Sequence, residues 1–529
     1  MDDGKKGREM DRRGFLKIST LSGAVALAGL SVTGREAQAA PKKWDRHVDV
    51  VVVGTGYSGL AAAIEAHDAG SSVVIIEKMP VIGGNSVLAG GGLNAVDPKR
   101  QAAQGIKDSV DLHFEQTISG GDFRADPVKV RYMAEHALEA WDWLETMGCE
   151  LFGVKVFQIY GSLWPRTHRA IYKDAKNGAA IIAAMNNQVK KRKIPVLMEH
   201  KVTNIYRETP LEGRVLGLEV EGKGKKLQLK ARKGVVLASG GFCADVEMRM
   251  RHDPRWTQKF GTTNQEGATG ETLNMAEDIG ADVIGLDYIQ SIGPTGPDVR
   301  YVKEKAGFAP LFDNPMYMMG KLKVSHSIYT DLRGKRIVAA DARRDAITEA
   351  SMRTPERVCV GIFDAVAREV NNRPPDQVFP EKQFQEMMRR HPKEMFAADT
   401  LRELAQKVGM PDPKVLEDTV ARFNSFVDAK LDPDFGQNPI NLVWKCEKPP
   451  FWAATGSPAT HHMCGGLRTK GTSAIVLDRW NKPIPGFYAA GEITGGVHGA
   501  NRLGGNGTSD CLVFGRLAGK EVAAQKPVA

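Results

Sequence analysis

The chain has 529 residues, of which 42% are hydrophobic and 26% charged, and it carries a formal charge of +9. That length exceeds one small core and allows two or three domains, while the composition excludes a disordered chain and a multispanning membrane protein. Its Lys and Arg residues are scattered among acids, so nucleic-acid binding is the weaker reading and an acidic protein partner or anionic substrate the better one.

At the N-terminus, Asp11-Arg12-Arg13-Gly14-Phe15-Leu16-Lys17 precedes a weakly apolar run over residues 18–32, and Ala37-Gln38-Ala39 follows. Paired arginines, an apolar stretch and a small-x-small site read together as a twin-arginine export signal over residues 1–39; the alternative is a short amphipathic helix. The run is shorter than the roughly 20 residues that cross a bilayer, so the expectation is cleavage near Ala39 and a periplasmic product with no membrane span. This route carries folded proteins, which suits a chain that must first collect a tightly bound cofactor.

Val48-Asp49-Val50-Val51-Val52-Val53 is a β-branched run that ends in Gly54-Thr55-Gly56-Tyr57-Ser58-Gly59, and an Ala-rich helix is predicted over 60–69. A second strand over 73–76 ends at Glu77-Lys78. Strand, glycine turn, helix and acidic strand end form the context that a dinucleotide fingerprint requires. The glycines let the backbone approach a pyrophosphate at the helix N-terminus, where unpaired N–H groups and the helix dipole favour anionic oxygen. Glu77 suits ribose hydroxyls and would repel a 2′-phosphate, which leaves FAD or NAD and disfavours NADP. Gly83-Gly84-Asn85-Ser86 and then Gly90-Gly91-Gly92 follow directly, and this arrangement separates FAD from NAD.

From about Val48 to the C-terminus the chain resembles the flavoprotein family of soluble fumarate reductases and their relatives. Val235-Val236-Leu237-Ala238-Ser239-Gly240-Gly241-Phe242 is similar to the family's strand and turn that return to the cofactor, and Gly267-Ala268-Thr269-Gly270-Glu271 to the loop that follows. The stretch from Ala490-Gly491-Glu492-Ile493-Thr494-Gly495-Gly496-Val497-His498 through Gly499-Ala500-Asn501-Arg502-Leu503-Gly504-Gly505-Asn506 resembles the family signature almost residue for residue. The resemblance implies an α/β fold: a Rossmann-type, glutathione-reductase-like FAD-binding domain over 45–288 and 464–529, with an inserted α+β capping domain over 289–463. It implies one FAD per chain, with Glu492 on the ribityl chain and Asn506, Gly507 and Ser509 at a helix N-terminus facing the flavin. Relatives that attach FAD covalently use a histidine in the segment matching Asn85-Ser86; none stands here, so non-covalent FAD is expected.

Reducing an activated C=C bond needs a hydride, a cationic clamp on the carboxylate and a proton donor. Gly334-Lys335-Arg336-Ile337-Val338 followed by Asp341-Ala342-Arg343-Arg344-Asp345 resembles the segment that carries the family's proton-donating arginine. This points to Arg344, with Asp345 positioning or reprotonating it. His461-His462-Met463-Cys464-Gly465-Gly466 resembles the family's His-x-x-Met-Gly-Gly with cysteine for methionine. His461 is then the carboxylate ligand, His462 faces the flavin or packs, and Arg502 grips the same carboxylate bidentately.

The family's fumarate enzymes bind the second carboxylate with a His-Pro-Thr and a later Thr-Glu. Here the first reads Gly293-Pro294-Thr295, and a gapless count back from Gly334 sets the second on Met319-Gly320, within a Met-rich lid. Apolar walls leave a second buried carboxylate unpaired. The expected substrate is therefore an α,β-unsaturated monocarboxylate, acrylate- or methacrylate-like or an aryl or imidazolyl acrylate, with fumarate as runner-up. Cys149, Cys243, Cys359, Cys446, Cys464 and Cys511 include no Cys-x-x-Cys, which argues against a metal centre or covalent haem and for mostly buried free thiols. A separate periplasmic c-type cytochrome is the expected electron donor. Other readings are a ketosteroid- or aspartate-oxidising relative and a non-catalytic flavin electron carrier.

Overall fold

The computed structural model describes residues 40–528 apart from 160, 311–312, 317–325 and 370–380. The export signal and Met319-Gly320 therefore lie outside the described residues.

Unbroken β-branched runs make strands that are buried on both faces of a parallel sheet. β1 (Arg46–Val53) buries Val50, Val51 and Val52 completely. It leads straight into α1 (Tyr57–Asp68), which begins before the expected residue 60. The reason is local: the Ser86 hydroxyl accepts the Tyr57 N–H at 3.1 Å and so satisfies a first-turn donor from outside the helix. β2 (Val73–Ile76) pairs parallel with β1, Val52 opposite Ile75.

Two helices come next, α2 (Val110–Gly120), capped by Ser109, and α3 (Pro127–Thr146), capped by Asp126 with proline at its start. β3 (Val196–Leu197) extends the sheet beyond β2, and β4 (Lys225–Leu237) adds on the other side of β1.

The chain then enters a second, antiparallel layer. Its strands are β5 (Ile289–Ser291), β6 (Ile328–Thr330) and β7 (Arg336–Val338), followed by α4 (Arg344–Arg353) and β8 (Cys359–Phe363). Further on come β9 (Met395–Ala398), α5 (Pro413–Ala429), β10 (Phe451–Gly456) and β11 (Thr460–Met463). The return to the first layer brings β12 (Pro483–Ala489) and α6 (Asn506–Ala523).

The parallel strands of the large sheet run in the order β12-β4-β1-β2-β3, and antiparallel strands join at β12 and β4 to make eight. The inserted sheet is five-stranded and antiparallel, in the order β7-β6-β8-β10-β9. Each sheet has its own apolar core, the first around Leu60, Trp141 and Phe514, the second around Phe363, Phe423 and Trp452. Trp256 and Phe260 join the second core although they precede β5 in the chain. β5 pairs with β11, and Gln290 donates to Asn501 Oδ1 at 2.7 Å and Arg502 O at 2.9 Å, so the cap is stitched to the signature loop. No described helix is long and apolar enough to cross a membrane.

Candidate active site

The carboxyl ends of β1, β2 and β4 open onto one cleft, where open α/β sheets bind their ligands. Residues 54–58, 77–78, 84–86, 238–240 and Glu492 line it, and these are most of the residues the sequence nominates for the cofactor. A Cβ on Gly54, whose φ is +102°, would stand 2.3 Å from Ala238 O, and one on Gly59 would stand 2.0 Å from Gly54 O. Strand, turn and helix close on each other at distances only glycine allows, which brings bare backbone to the cleft.

Glu77 is buried at the floor, where Oε2 accepts the Thr55 N–H at 3.1 Å and the Thr55 hydroxyl at 2.5 Å, and Oε1 accepts the Met79 N–H at 2.9 Å. Lys78 Nζ donates to Thr269 Oγ1 and Glu271 Oε2, both at 2.6 Å. Asn85 accepts the Gln265 N–H at 2.9 Å and bonds Asn264.

Other nominated residues act from behind the wall. Gly91 backs onto the Asn177–Gly178 backbone, and Gly491 approaches the Ser58 hydroxyl. Asn506 and Ser509 hold the start of α6 through Asn94: Asn94 Nδ2 donates to Asn506 Oδ1 at 2.8 Å, and Ser509 Oγ donates to Asn94 O at 2.7 Å. Gly59, Gly83, Gly90, Gly92 and Gly507 likewise stand outside the cleft lining. Thr55, Val202, Gln265 and Thr272 line the cleft without having been nominated. Thr55 was legible as the middle of the glycine motif. Val202 belongs to a strand, His200–Arg207, whose sequence carries no cofactor signal.

The cleft continues to Glu492, where burial lifts the carboxyl from its ordinary 4.5 to about 7 although the Met463 N–H donates to Oε1 at 3.0 Å. His462 Nδ1 lies 3.6 Å from the same oxygen, and its ring meets His498 edge-on at 5.4 Å. His461 Nδ1 bonds Thr263 Oγ1 at 2.6 Å, and Asn264 Nδ2 donates to His461 O at 2.8 Å. Burial, then the charges of Arg502 and Arg344, hold the His461 imidazole well below its usual range, so it is neutral at pH 7. His462 is depressed for the same reasons, with His498 and His461 adding to them.

Two guanidinium groups therefore converge on one pair of neutral imidazoles. Arg344 is 7% and Arg502 8% exposed. A Cβ on Gly161 would stand 2.5 Å from Arg344 Cζ, so the chain roofs that side chain with backbone. Arg502 Nη1 donates to Leu503 O at 3.1 Å, while its buried Nε and the buried His462 Nε2 have no hydrogen-bond partner among the described residues. A buried guanidinium N–H without a partner is costly, and a carboxylate is the ligand that satisfies it. Asp345 faces outward, where Arg343 Nε donates to its Oδ1 at 3.0 Å.

A glycine-lined cleft, a helix N-terminus, an acid at the end of β2 and a buried glutamate beyond it fit FAD. Residues 49–508 match the FAD binding domain family. The chain is 35% identical over 480 residues to a fumarate reductase (cytochrome) of Shewanella frigidimarina, covering 90% of this chain and 77% of that one. It is 31% identical to an acrylate reductase flavoprotein subunit of Shewanella woodyi, covering 97% of this chain and 98% of the relative. The open conformation of a flavocytochrome c3 fumarate reductase matches with a TM-score of 0.71 at 29% identity, covering 98% of this chain and 82% of that one. The chain is an FAD-dependent oxidoreductase and belongs to the family of fumarate reductases and related flavoproteins that reduce the C=C bond of unsaturated carboxylates.

Proposed function

We propose that this protein reduces an α,β-unsaturated monocarboxylate in the periplasm, after twin-arginine export, with electrons from a separate c-type cytochrome. The observation that carries the reading of the site is the buried Arg502, whose Nε has no partner among the described residues and whose charge, with that of Arg344, acts on His461 and His462. When bound, FAD supplies the hydride for one carbon of the C=C bond. Arg502 and His461 hold the substrate carboxylate and take up the negative charge that develops on it. Arg344 gives its proton to the neighbouring carbon; its own pKa is high, yet the carbanion is far more basic. The roof at residue 161 and the cap keep water from the reacting atoms.

The preference for one carboxylate rests on the cap. Where the family's fumarate enzymes carry a histidine, Gly293 stands, and a Cβ there would meet only Ile347 Cγ2, at 3.9 Å. Ile292, Ile347 and Met316 are buried nearby in the same layer. Open apolar space favours a methyl, aryl or hydrogen substituent over a second carboxylate.

Fumarate is the second reading. The buried Thr295 hydroxyl has no partner among the described residues, and it would serve a second carboxylate. The relative at 35% identity is itself a fumarate reductase (cytochrome).

The test is anaerobic oxidation of reduced methyl viologen by the FAD-loaded protein with acrylate, methacrylate, cinnamate, urocanate and fumarate. Turnover of a monocarboxylate with little turnover of fumarate is expected. Fumarate as the best substrate would overturn the apolar-cap argument and leave the Arg344 chemistry standing. Rapid reduction by NADH would overturn the cytochrome assignment.

A further inference from the structure

One charged cluster on the rim of the site joins the two segments that carry its arginines. α2 ends in a turn in which Asp122 and Phe123 both have φ of +56°, the one place among the described residues where two consecutive non-glycine residues hold left-handed backbone. That conformation is unfavourable for residues with a Cβ and persists where the surroundings impose it. Here the signature loop imposes it: the Ala500 N–H donates to Gly121 O at 3.0 Å, Asn501 Nδ2 to Gly120 O at 2.9 Å, and the Asp126 N–H to Gly496 O at 2.7 Å. Asp122 is thereby fixed to the loop that ends in Arg502.

Across the rim stands Arg343, the residue before Arg344 and the N-cap of α4. Its Nη1 and Nη2 donate to the two carboxylate oxygens of Asp122 at 2.6 and 2.9 Å, a bidentate pair. On its other edge Nε and Nη2 bond Asp345, whose Oδ1 also accepts the Ala346 N–H at 3.0 Å in the first turn of α4. Arg124 adds a further positive charge beside Asp122.

We infer that Asp122 and Arg343 are positioning residues that set the separation between Arg502 on the signature loop and Arg344 on α4. This rests on the roles given above to those two arginines. Arg343 is 40% and Asp122 46% exposed, so the pair adds little to folding stability. Its contribution is geometric: a planar guanidinium between two carboxylates fixes both distance and angle. The substrate lies between a clamp and a proton donor that sit on different layers of the fold, and a shift of about 1 Å at such a junction costs up to a hundredfold in rate.

The experiment compares wild-type holoenzyme with Asp122→Asn, Arg343→Gln and the double variant Asp122→Asn/Arg343→Gln. Each is tested for turnover of its best enoate and for hydrogen exchange of the α4 amides. The single variants are expected to keep their FAD and melting temperature, lose about tenfold to a hundredfold in kcat with a smaller change in KM, and exchange faster across residues 344–353. The double variant is expected to lose no more kcat than the worse single variant, to within about threefold, because the two residues act through one contact. Single variants within about twofold of wild type in kcat and unchanged in exchange, or single losses that multiply in the double variant, overturn the inference. Should the wild type turn over no enoate, the proposed function fails, and the exchange comparison alone decides the positioning role.

Discussion

Glu492→Gln isolates one buried ionisation and turns it into a stability measurement. The wild-type side chain is 12% exposed, Oε1 accepts the Met463 N–H at 3.0 Å, and burial moves the carboxyl from 4.5 to about 7. A carboxyl raised in the folded state favours folding in its neutral form. Its contribution is therefore whole below pH 4.5 and is lost as pH rises through about 7. The full shift corresponds to about 3 kcal/mol. Glutamine keeps an oxygen for the Met463 N–H and cannot ionise. Burial and the charge of Arg502 hold His462, whose Nδ1 lies 3.6 Å from Glu492 Oε1, well below its usual range. Urea unfolding of the FAD-free proteins between about pH 5 and 8 should show the variant gaining on wild type by about 3 kcal/mol across the range. A difference that stays flat with pH would refute the buried ionisation.

Arg344→Gln should lower kcat by about 10² to 10⁴-fold in the viologen assay while FAD content and the unfolding curve stay close to wild type. The variant removes a proton donor from a pocket already roofed by residue 161. Gly54→Val should yield a protein that purifies without flavin absorbance, because the new side chain meets Ala238 O and cannot adopt the φ of +102° that the turn needs.

The cofactor half of the site was legible because its chemistry is done by backbone. A glycine motif between a β-branched run and an alanine-rich helix allows one local geometry, and residues 54–58, 77–78, 84–86 and 238–240 fall on one cleft as that geometry requires. The substrate half was legible only through resemblance. His461 and Arg344 are 117 positions apart in the chain, and nothing in their neighbours' periodicity says that they meet. Asp345 was read as positioning or reprotonating Arg344, yet its carboxylate turns outward and pairs with Arg343. A helix start spreads consecutive side chains around its axis, so Arg344 is buried while its neighbours reach the rim.

By itself the sequence determined the first two strands, the dinucleotide turn, the acid at the end of β2 and the signature loop, because these depend on contacts between near neighbours and on residues with narrow conformational choices. Only the tertiary structure decided the neutral state of the two histidines, the raised carboxyl of Glu492 and the bridge from Asp122 to Arg343. Each of these depends on charge and burial contributed by separate segments of the chain, and electrostatic energies take their size from the finished environment, not from residue type.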